Sequence, residues 1–430
     1  EKGLQTVAVY SEADREMPFV KMADEAVCIG PSPVQKSYLN MDRILQAAKE
    51  TEADAVHPGY GFLSENSTFA EKVLQSGLKW IGPRPEVIAR MGDKVAARQT
   101  VKKAGVPVVP GSGRISQLED ALKMASALGY PVMVKASAGG GGIGMQVCDS
   151  EQDLKKQFQA LQQRAQTYFG DGSLFMEKAV TDARHVEVQI AADETGNVIH
   201  LFERECSIQR RNQKVIEESP SPSICETTRK KLCEAAVRAA RAVQYTGIGT
   251  VEFLIDKSEQ FYFLEMNTRL QVEHPVTEEV AGVDLVAWQI TIAEGSPLPL
   301  SQSEVSCRGH AVEFRIYAED PERFLPSPGK VTQFVLPEGE GIRVDAGIEE
   351  GNTVSPFYDP MIAKLIVSGC RRKEAMERAE KALKAFYVSG IKTNLPLLVK
   401  ILETEAFKSG RYHTGLISQI LNGSDDKWQK

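Results

Sequence analysis

The stretch KASAGGGGIGM, residues 135–145, places five glycines in eleven positions of a chain that has 34 in 430 residues. Residues 139–144 formally match G-x-G-x-x-G, which alone says little. In a dinucleotide site or a P-loop the glycines open a helix, whose N-terminus then faces phosphate. Here Gly144 runs into Met-Gln-Val-Cys (145–148), apolar and β-branched, and helix signals begin only at Asp149 and Ser150. The segment therefore predicts strand, loop and strand: a hairpin lid of the kind that covers phosphates in kinases. Glycines in such a lid offer backbone N–H groups with no side chain in the way. Just before it, period two puts Met133, Lys135 and Ser137 on one face and Val132 and Val134 on the other. A lysine beside an amide-lined loop suits nucleotide phosphates. An ordinary surface hairpin with a solvated lysine is the competing reading.

To the N-terminal side, strands at 6–10, 53–58 and 79–83 alternate with helices at 42–51 and 68–77, which implies a parallel sheet in an α/β domain. A helix after "RMGDK" (90–94) reaches the proline-rich boundary "VPVVPGS" (106–112). The lid is framed by a helix at 117–128, strands at 131–136 and 145–148, a helix at 150–166 and a strand at 174–180. Strands at 185–193 and 198–206, a helix near 225–245 and a hairpin over 249–267 follow. From about 307 the pattern is largely β, with a helix at 372–388.

A chain of this length predicts two or three domains. Its net charge of −7 argues against a nucleic-acid partner, and no apolar run approaches a membrane span. Seven scattered cysteines with no Cys-x-x-Cys pair read as reduced thiols of an intracellular protein. The first residue is Glu1, so the lack of a signal peptide carries little weight. The six histidines show no zinc-like spacing.

"GTVEFLIDKSEQFYFLEMN" (249–267) reads as two strands joined by a polar turn. Thr250, Glu252 and Leu254 share one face of the first; Phe263, Glu265 and Asn267 share one face of the second. Pairing brings Glu252 opposite Glu265, and like charges there ask for a cation. With Asn267 they form a hard-oxygen set for Mg²⁺ or Mn²⁺; the competing reading solvates both on an exposed face. In "NTRLQVEHP" (267–275), an extended chain puts Arg269, Gln271 and Glu273 on one side and Leu270 and Val272 on the other. Guanidinium, amide and carboxylate together could bind a small planar anion and take its proton; a surface salt bridge is an even alternative. The basic run "SIQRRNQKV" (207–215) could neutralise an anion through Lys214 and its arginines, or form a solvated face.

Together with "HPGYGFLSEN" (57–66), "MGDK" (91–94), "MEK" (176–178), "RHVEVQ" (184–189), "ERECSIQRRNQKVIEE" (203–218), "EMNTRLQVEHPVTE" (265–278), "HAVEFRIYAED" (310–320), "PSPGK" and "YDPMIAKLI" (358–366), these pieces closely resemble biotin carboxylase over nearly the whole chain. The resemblance implies an ATP-grasp fold, α/β and α+β: a parallel-sheet domain (1–90) lacking its first strand, an ATP-grasp domain (91–306) with a mobile lid (108–180), and a mixed C-terminal domain (307–430). It assigns Lys94, Lys135, Gly140 and Gly141 to ATP phosphates. Glu177, Lys178 and Val180 border adenine, and His185 and Gln209 reach the ribose or phosphates. Glu252, Glu265 and Asn267 hold the metal. Lys214, Arg269, Gln271 and the Val272 backbone bind bicarbonate, Glu273 is the base, Arg315 stabilises the biotin enolate, and Tyr60 lies near biotin.

The implied reaction is phosphorylation of bicarbonate by ATP to carboxyphosphate, and then carboxylation of biotin, the first half-reaction of an acyl-CoA carboxylase. Biotin is a carrier-bound substrate, so the implied partners are a biotin carboxyl carrier protein or domain, a carboxyltransferase and, by family habit, a second copy in a homodimer. The implied place is the cytoplasm, or an organellar matrix. Ile143 stands where the family usually has lysine or arginine, Ala183 replaces a common proline, and the family's opening "NRGEIA" strand does not precede Glu1. Two rivals share parts of the pattern. A carbamoyl-phosphate-synthetase-like ligase also activates bicarbonate, and a regulatory module could bind nucleotide without turnover.

Overall fold

A computed structural model describes residues 2–137 and 144–423. The expectations for Gly140, Gly141 and Ile143 lie outside the described residues. The glycine stretch is flanked as the sequence predicts: Val132–Ala136 and Met145–Cys148 pair antiparallel, with Lys135 opposite Met145. Leu174–Lys178 pairs on the other side of Val132–Ala136. The helices Leu118–Leu128 and Glu151–Phe169 cover the face made by Val132, Val134 and Ala136. Lys135 points the other way and is 5% exposed, as its period-two position requires.

N-terminal strands are parallel, as the alternation with helices predicts, but they form two separate pairs. Val7–Ser11 lies beside Glu25–Gly30, and Ala55–Val56 beside Lys79–Trp80. The helices Met41–Glu50 and Ser67–Gln75 start at Asn40 and Asn66, whose side chains accept from Arg43 and Phe69 N–H.

The body of the molecule is one eight-stranded sheet. In spatial order it runs Phe261–Asn267, Gly247–Ile255, Arg184–Ala192, Val198–Arg210, Gln213–Ser219, His310–Tyr317, Met361–Gly369 and Ile342–Ala346. Period-two alternation gives it two unlike faces. Val186, Val188, Ile190, Val251 and Phe253 pack under the helix Glu226–Ala242. Val312, Phe314, Ile316, Leu365 and Val367 pack under Arg372–Ala385 and Leu395–Glu403. The residues in between, among them His185, Glu187, Thr250, Glu252, Glu313, Arg315 and Lys364, point to the opposite face.

Several elements carry no clear signal in the sequence. Gln213–Ser219 is a full strand, reached through a tight reversal in which Arg211 and Asn212 both have positive φ (51° and 63°). The helices His274–Ala281, Leu285–Ala293, Leu395–Glu403 and Leu416–Leu421 are hidden by short length or by all-round apolar composition. The chain after 307 is accordingly mixed rather than largely β.

The C-terminal helices are tied to the sheet by Glu218, which is fully buried. It accepts from His310 at 2.5 Å, from Arg372 Nε at 2.6 Å and from the Tyr412 hydroxyl. Burial pushes this carboxyl up, and His310 and Arg372 outweigh it, leaving it at about 2. A depressed folded-state value contributes stability that is present above the ordinary carboxylate range and lost as pH falls toward 2. We predict that Glu218→Gln lowers unfolding free energy by about 3–5 kcal/mol, because three donors lose their anion. Urea titration at neutral pH measures it, and the difference from wild type should shrink as pH falls toward 3.

Candidate functional site

The charged face of the eight-stranded sheet gathers around one ammonium. Lys214 Nζ donates to Glu187, to Glu252 Oε1 at 2.8 Å and to Glu273 Oε1 at 2.6 Å. The three carboxylates come from different places: two neighbouring strands and the residue just before the helix His274–Ala281. Burial works against the charge on Lys214, but Glu187, Glu252 and Glu273 outweigh it and hold its ammonium well above the ordinary lysine range. Burial likewise pushes Glu273 up, while Lys214, Arg315 and Arg204 outweigh it and hold its carboxyl well below the usual range. Arg315 binds Glu273 Oε2 at 2.8 Å and Glu217 Oε1 at 2.7 Å. A fully buried carboxylate held between two cations is deprotonated at neutral pH, as a general base has to be before it takes up a proton.

Glu252 and Glu265 are Cα partners across the strand pair, and Thr250 faces Asn267, in the register the alternation predicts. Lys94 Nζ lies 3.4 Å from Glu265. Glu252 Oε1 also accepts from Asn267 at 2.7 Å and Gln271 at 3.1 Å, and its Oε2 lies 2.9 Å from His185 Nε2. Two carboxylates and an amide, flanked by Lys94 and Lys214, fit a hard divalent ion that arrives with phosphate oxygens. Among the described residues two other sets of ligand atoms converge within 4.8 Å: His185, Glu187 and Glu252, and Glu187, Cys206 and Glu273. An imidazole suits Mg²⁺ less well than oxygen does.

After Asn267 the expected extension stops, because the strand ends and residues 268–273 lead into the helix. The alternation of side chains nevertheless holds. Leu270 joins Trp288 and Ile292 in an apolar cluster, while Arg269 donates to Gln271 Oε1 at 2.8 Å and to Asn267 Oδ1 at 3.3 Å. Arg269 Nε also binds Glu65 at 2.8 Å.

Of the residues expected at the nucleotide, Lys135 pairs with the buried Glu177, as does Arg98. Lys178 donates to the carbonyls of Gly129 and Tyr130 at 2.8 and 2.9 Å, while Val180 is half-buried. Gln209 Nε2 lies 2.8 Å from His185 Nδ1. Tyr60 is 40% exposed on the loop 57–66 that sends Glu65 to Arg269.

Sequence reasoning missed Glu65, Glu187, Arg204, Glu217 and Glu313. Glu187 had a signal, since period two places it with His185 inside "RHVEVQ". Arg204 is fully buried, binding Glu187 at 2.7 Å, Gln189 at 2.6 Å and Thr250 at 2.9 Å. Glu313 is the Cα partner of Glu217. Neither of its oxygens has a hydrogen-bond partner among the described residues, and burial pushes its carboxyl well above the usual range.

Three family models match the chain: biotin carboxylase N-terminal domain at residues 1–88, carbamoyl-phosphate synthase L chain ATP-binding domain at 93–301, and biotin carboxylase C-terminal domain at 313–419. The chain is 55% identical over 420 residues to biotin carboxylase 2 of Bacillus subtilis, covering 97% of this chain and 95% of that one. It is 55% identical to the biotin carboxylase of Halalkalibacterium halodurans, covering 97% and 93%. The solved biotin carboxylase–β-γ-ATP complex from Campylobacter jejuni superposes with a TM-score of 0.95 at 46% identity, covering 97% and 94%. The Hydrogenobacter thermophilus 2-oxoglutarate carboxylase biotin carboxylase domain dimer, in complex with MgADP, ADP and bicarbonate, gives a TM-score of 0.95 at 44% identity, covering 97% and 93%.

Two substitutions on the charged face should behave oppositely. Lys214→Met leaves three buried carboxylates without their shared cation and should cost about 3–5 kcal/mol of stability. Glu313→Gln keeps the shape of a side chain whose oxygens have no hydrogen-bond partner among the described residues, and should stay within about 1 kcal/mol of wild type. Denaturant midpoints at pH 7 compare them directly.

Proposed function

This chain belongs to the biotin carboxylase family, and from that premise we propose how its own residues divide the work. The reaction is ATP-dependent carboxylation of biotin: bicarbonate is phosphorylated to carboxyphosphate, which yields CO₂ for the ureido nitrogen of biotin. Charge must be offset on the phosphoryl group and on bicarbonate, and a proton must leave at a fixed place.

Lys94 and Lys135 meet the ATP phosphates, together with the lid glycines Gly140 and Gly141. Glu177, Lys178 and Val180 border the adenine, and His185 and Gln209 reach the ribose or phosphates. Glu252, Glu265 and Asn267 would hold Mg²⁺ or Mn²⁺, which supplies charge neutralisation to the transferring phosphoryl group. Lys214, Arg269, Gln271 and the Val272 N–H bind bicarbonate. Glu273 takes its proton, Arg315 faces the biotin enolate, and Tyr60 approaches biotin from the loop 57–66.

The observation that carries this reading is Glu273. It is fully buried and touches both Lys214, at 2.6 Å, and Arg315, at 2.8 Å. One base thus stands between the cation assigned to bicarbonate and the one assigned to biotin. A nucleotide-binding module without turnover has no use for it.

We divide the chain into an N-terminal region to residue 90, an ATP-grasp region to 306 and a C-terminal region, and place the enzyme in the cytoplasm as a homodimer. No described helix is long and apolar enough to cross a membrane. The expected partners are a biotin carboxyl carrier protein or domain and a carboxyltransferase. Two relatives support this: the 2-oxoglutarate carboxylase structure is a domain dimer, and a pyruvate carboxylase subunit of Methanothermobacter thermautotrophicus is 48% identical over 432 residues.

The test is ADP release with ATP, Mg²⁺ and bicarbonate, with and without free biotin. Biotin should stimulate turnover, and Glu273→Gln should lower the stimulated rate by about 10²–10⁴-fold, the range for losing a positioned base. Bicarbonate-dependent turnover that ignores biotin would instead indicate a carbamoyl-phosphate-synthetase-like ligase.

A further inference from the structure

Behind the anion cradle, two consecutive carbonyls each meet a buried side chain that has no role in the assignments above; the first also accepts from the His274 N–H at a longer 3.3 Å. His274 Nδ1 lies 2.8 Å from the Gln271 carbonyl oxygen, and Lys364 Nζ donates to the Val272 carbonyl oxygen at 2.9 Å. His274 is 7% exposed and Lys364 5%. A carbonyl only accepts, so the imidazole proton sits on Nδ1. Burial, and then the ammonium of Lys364, push this imidazole down to about 3. The other charged groups near it are Glu278, 3.8 Å from Nε2, with Arg343 and Arg204 beyond.

The Gln271–Val272 and Val272–Glu273 peptides are trans. In a planar trans peptide the N–H points opposite to the C=O. Tying the Gln271 oxygen to His274 therefore turns the Val272 N–H away from His274. Among the described residues that N–H meets no acceptor, and the same is true of Glu273 N–H. Both lie at the start of the helix His274–Ala281, where backbone donors favour an anion. A donor on a carbonyl also polarises its peptide and strengthens the N–H on the other side.

We propose that His274 is a positioning residue for bicarbonate: it fixes and polarises the Gln271–Val272 peptide so that the Val272 N–H is preset to donate to the anion, and Lys364 does the same for the next peptide. The proposal rests on the assignment of Val272 to bicarbonate made above.

Steady-state kinetics on the full chain, with Mg-ATP, free biotin and varied bicarbonate, test it through His274→Leu, His274→Asn, Lys364→Met and Arg269→Ala. Leucine cannot donate to the carbonyl, whereas the asparagine amide can. His274→Leu should raise KM for bicarbonate about tenfold, the worth of one well-placed hydrogen bond, and leave KM for ATP within about twofold. His274→Asn should recover most of the loss, and Lys364→Met should give a smaller rise. Equal bicarbonate KM in the leucine and asparagine variants at equal melting temperature overturns the proposal, as does a parallel rise in KM for ATP. If Arg269→Ala raises KM for bicarbonate and His274→Leu does not, only the role of His274 falls. If neither moves it, the bicarbonate assignment falls too. Should the leucine variant fail to fold, ¹⁵N-histidine spectra of the wild type decide. A neutral His274 ring with its proton on Nδ1 between pH 6 and 8 supports the proposal, and a proton on Nε2 defeats it.

Discussion

One ammonium shared by three buried carboxylates is the constraint that the rest of the site answers to. Lys214 can reach Glu187, Glu252 and Glu273 together only because the chain reverses at Arg211 and Asn212 and returns beside its own preceding strand. Removing such a cation leaves uncompensated charge away from water, which is far more costly than losing a surface pair. Arg204 and Arg315 extend the same balance, one to Glu187 and the other to Glu217 and Glu273. The result is a face in which a carboxylate stays ionised while buried, the state a general base must occupy before substrate arrives.

The second constraint is register. The strands that bury Val186, Val188, Val251 and Phe253 are the ones that present Glu187 and Glu252 on the other side. A slip of one residue would exchange core for charged groups along a whole strand, so packing against the helix Glu226–Ala242 fixes the placement of the charges. Two of the sheet's register shifts adjoin these charges, between Lys214 and Ile216 and between Glu252 and Phe253.

Where the placement of side chains followed simple alternation, the sequence was readable. Lys135 against Val132 and Val134, and Glu252 opposite Glu265, needed only period two and a hairpin. The segment 269–273 was readable in part, since Arg269 and Gln271 meet on one side while Leu270 packs with Trp288 and Ile292 on the other, although the strand has ended. The buried partners were not readable. Glu217 and Glu313 lie in strands far apart in the chain that meet only in the assembled sheet, and Arg204 sits in a run that reads as ordinary mixed charge. Glu65 reaches Arg269 from 204 positions away. Pattern reports what shares a face; long-range pairing decides which charges meet.

The sheet also explains why nucleotide chemistry and biotin chemistry belong to one body. Residues 93–301 match a model shared with carbamoyl-phosphate synthase, whereas Arg315 and Lys364 lie in the biotin carboxylase C-terminal match at 313–419. These halves are not merely adjacent. Gln213–Ser219, which carries Lys214 just inside its start, pairs directly with His310–Tyr317, which carries Arg315. Next in the sheet, Lys364 stands opposite Arg315 and reaches back to the Val272 carbonyl. Backbone hydrogen bonds across this seam fix the two strands that carry Lys214 and Arg315, the cations on either side of Glu273. The strands of the C-terminal match thus extend the sheet of the ATP-binding match, and with them Arg315 is set against Glu273.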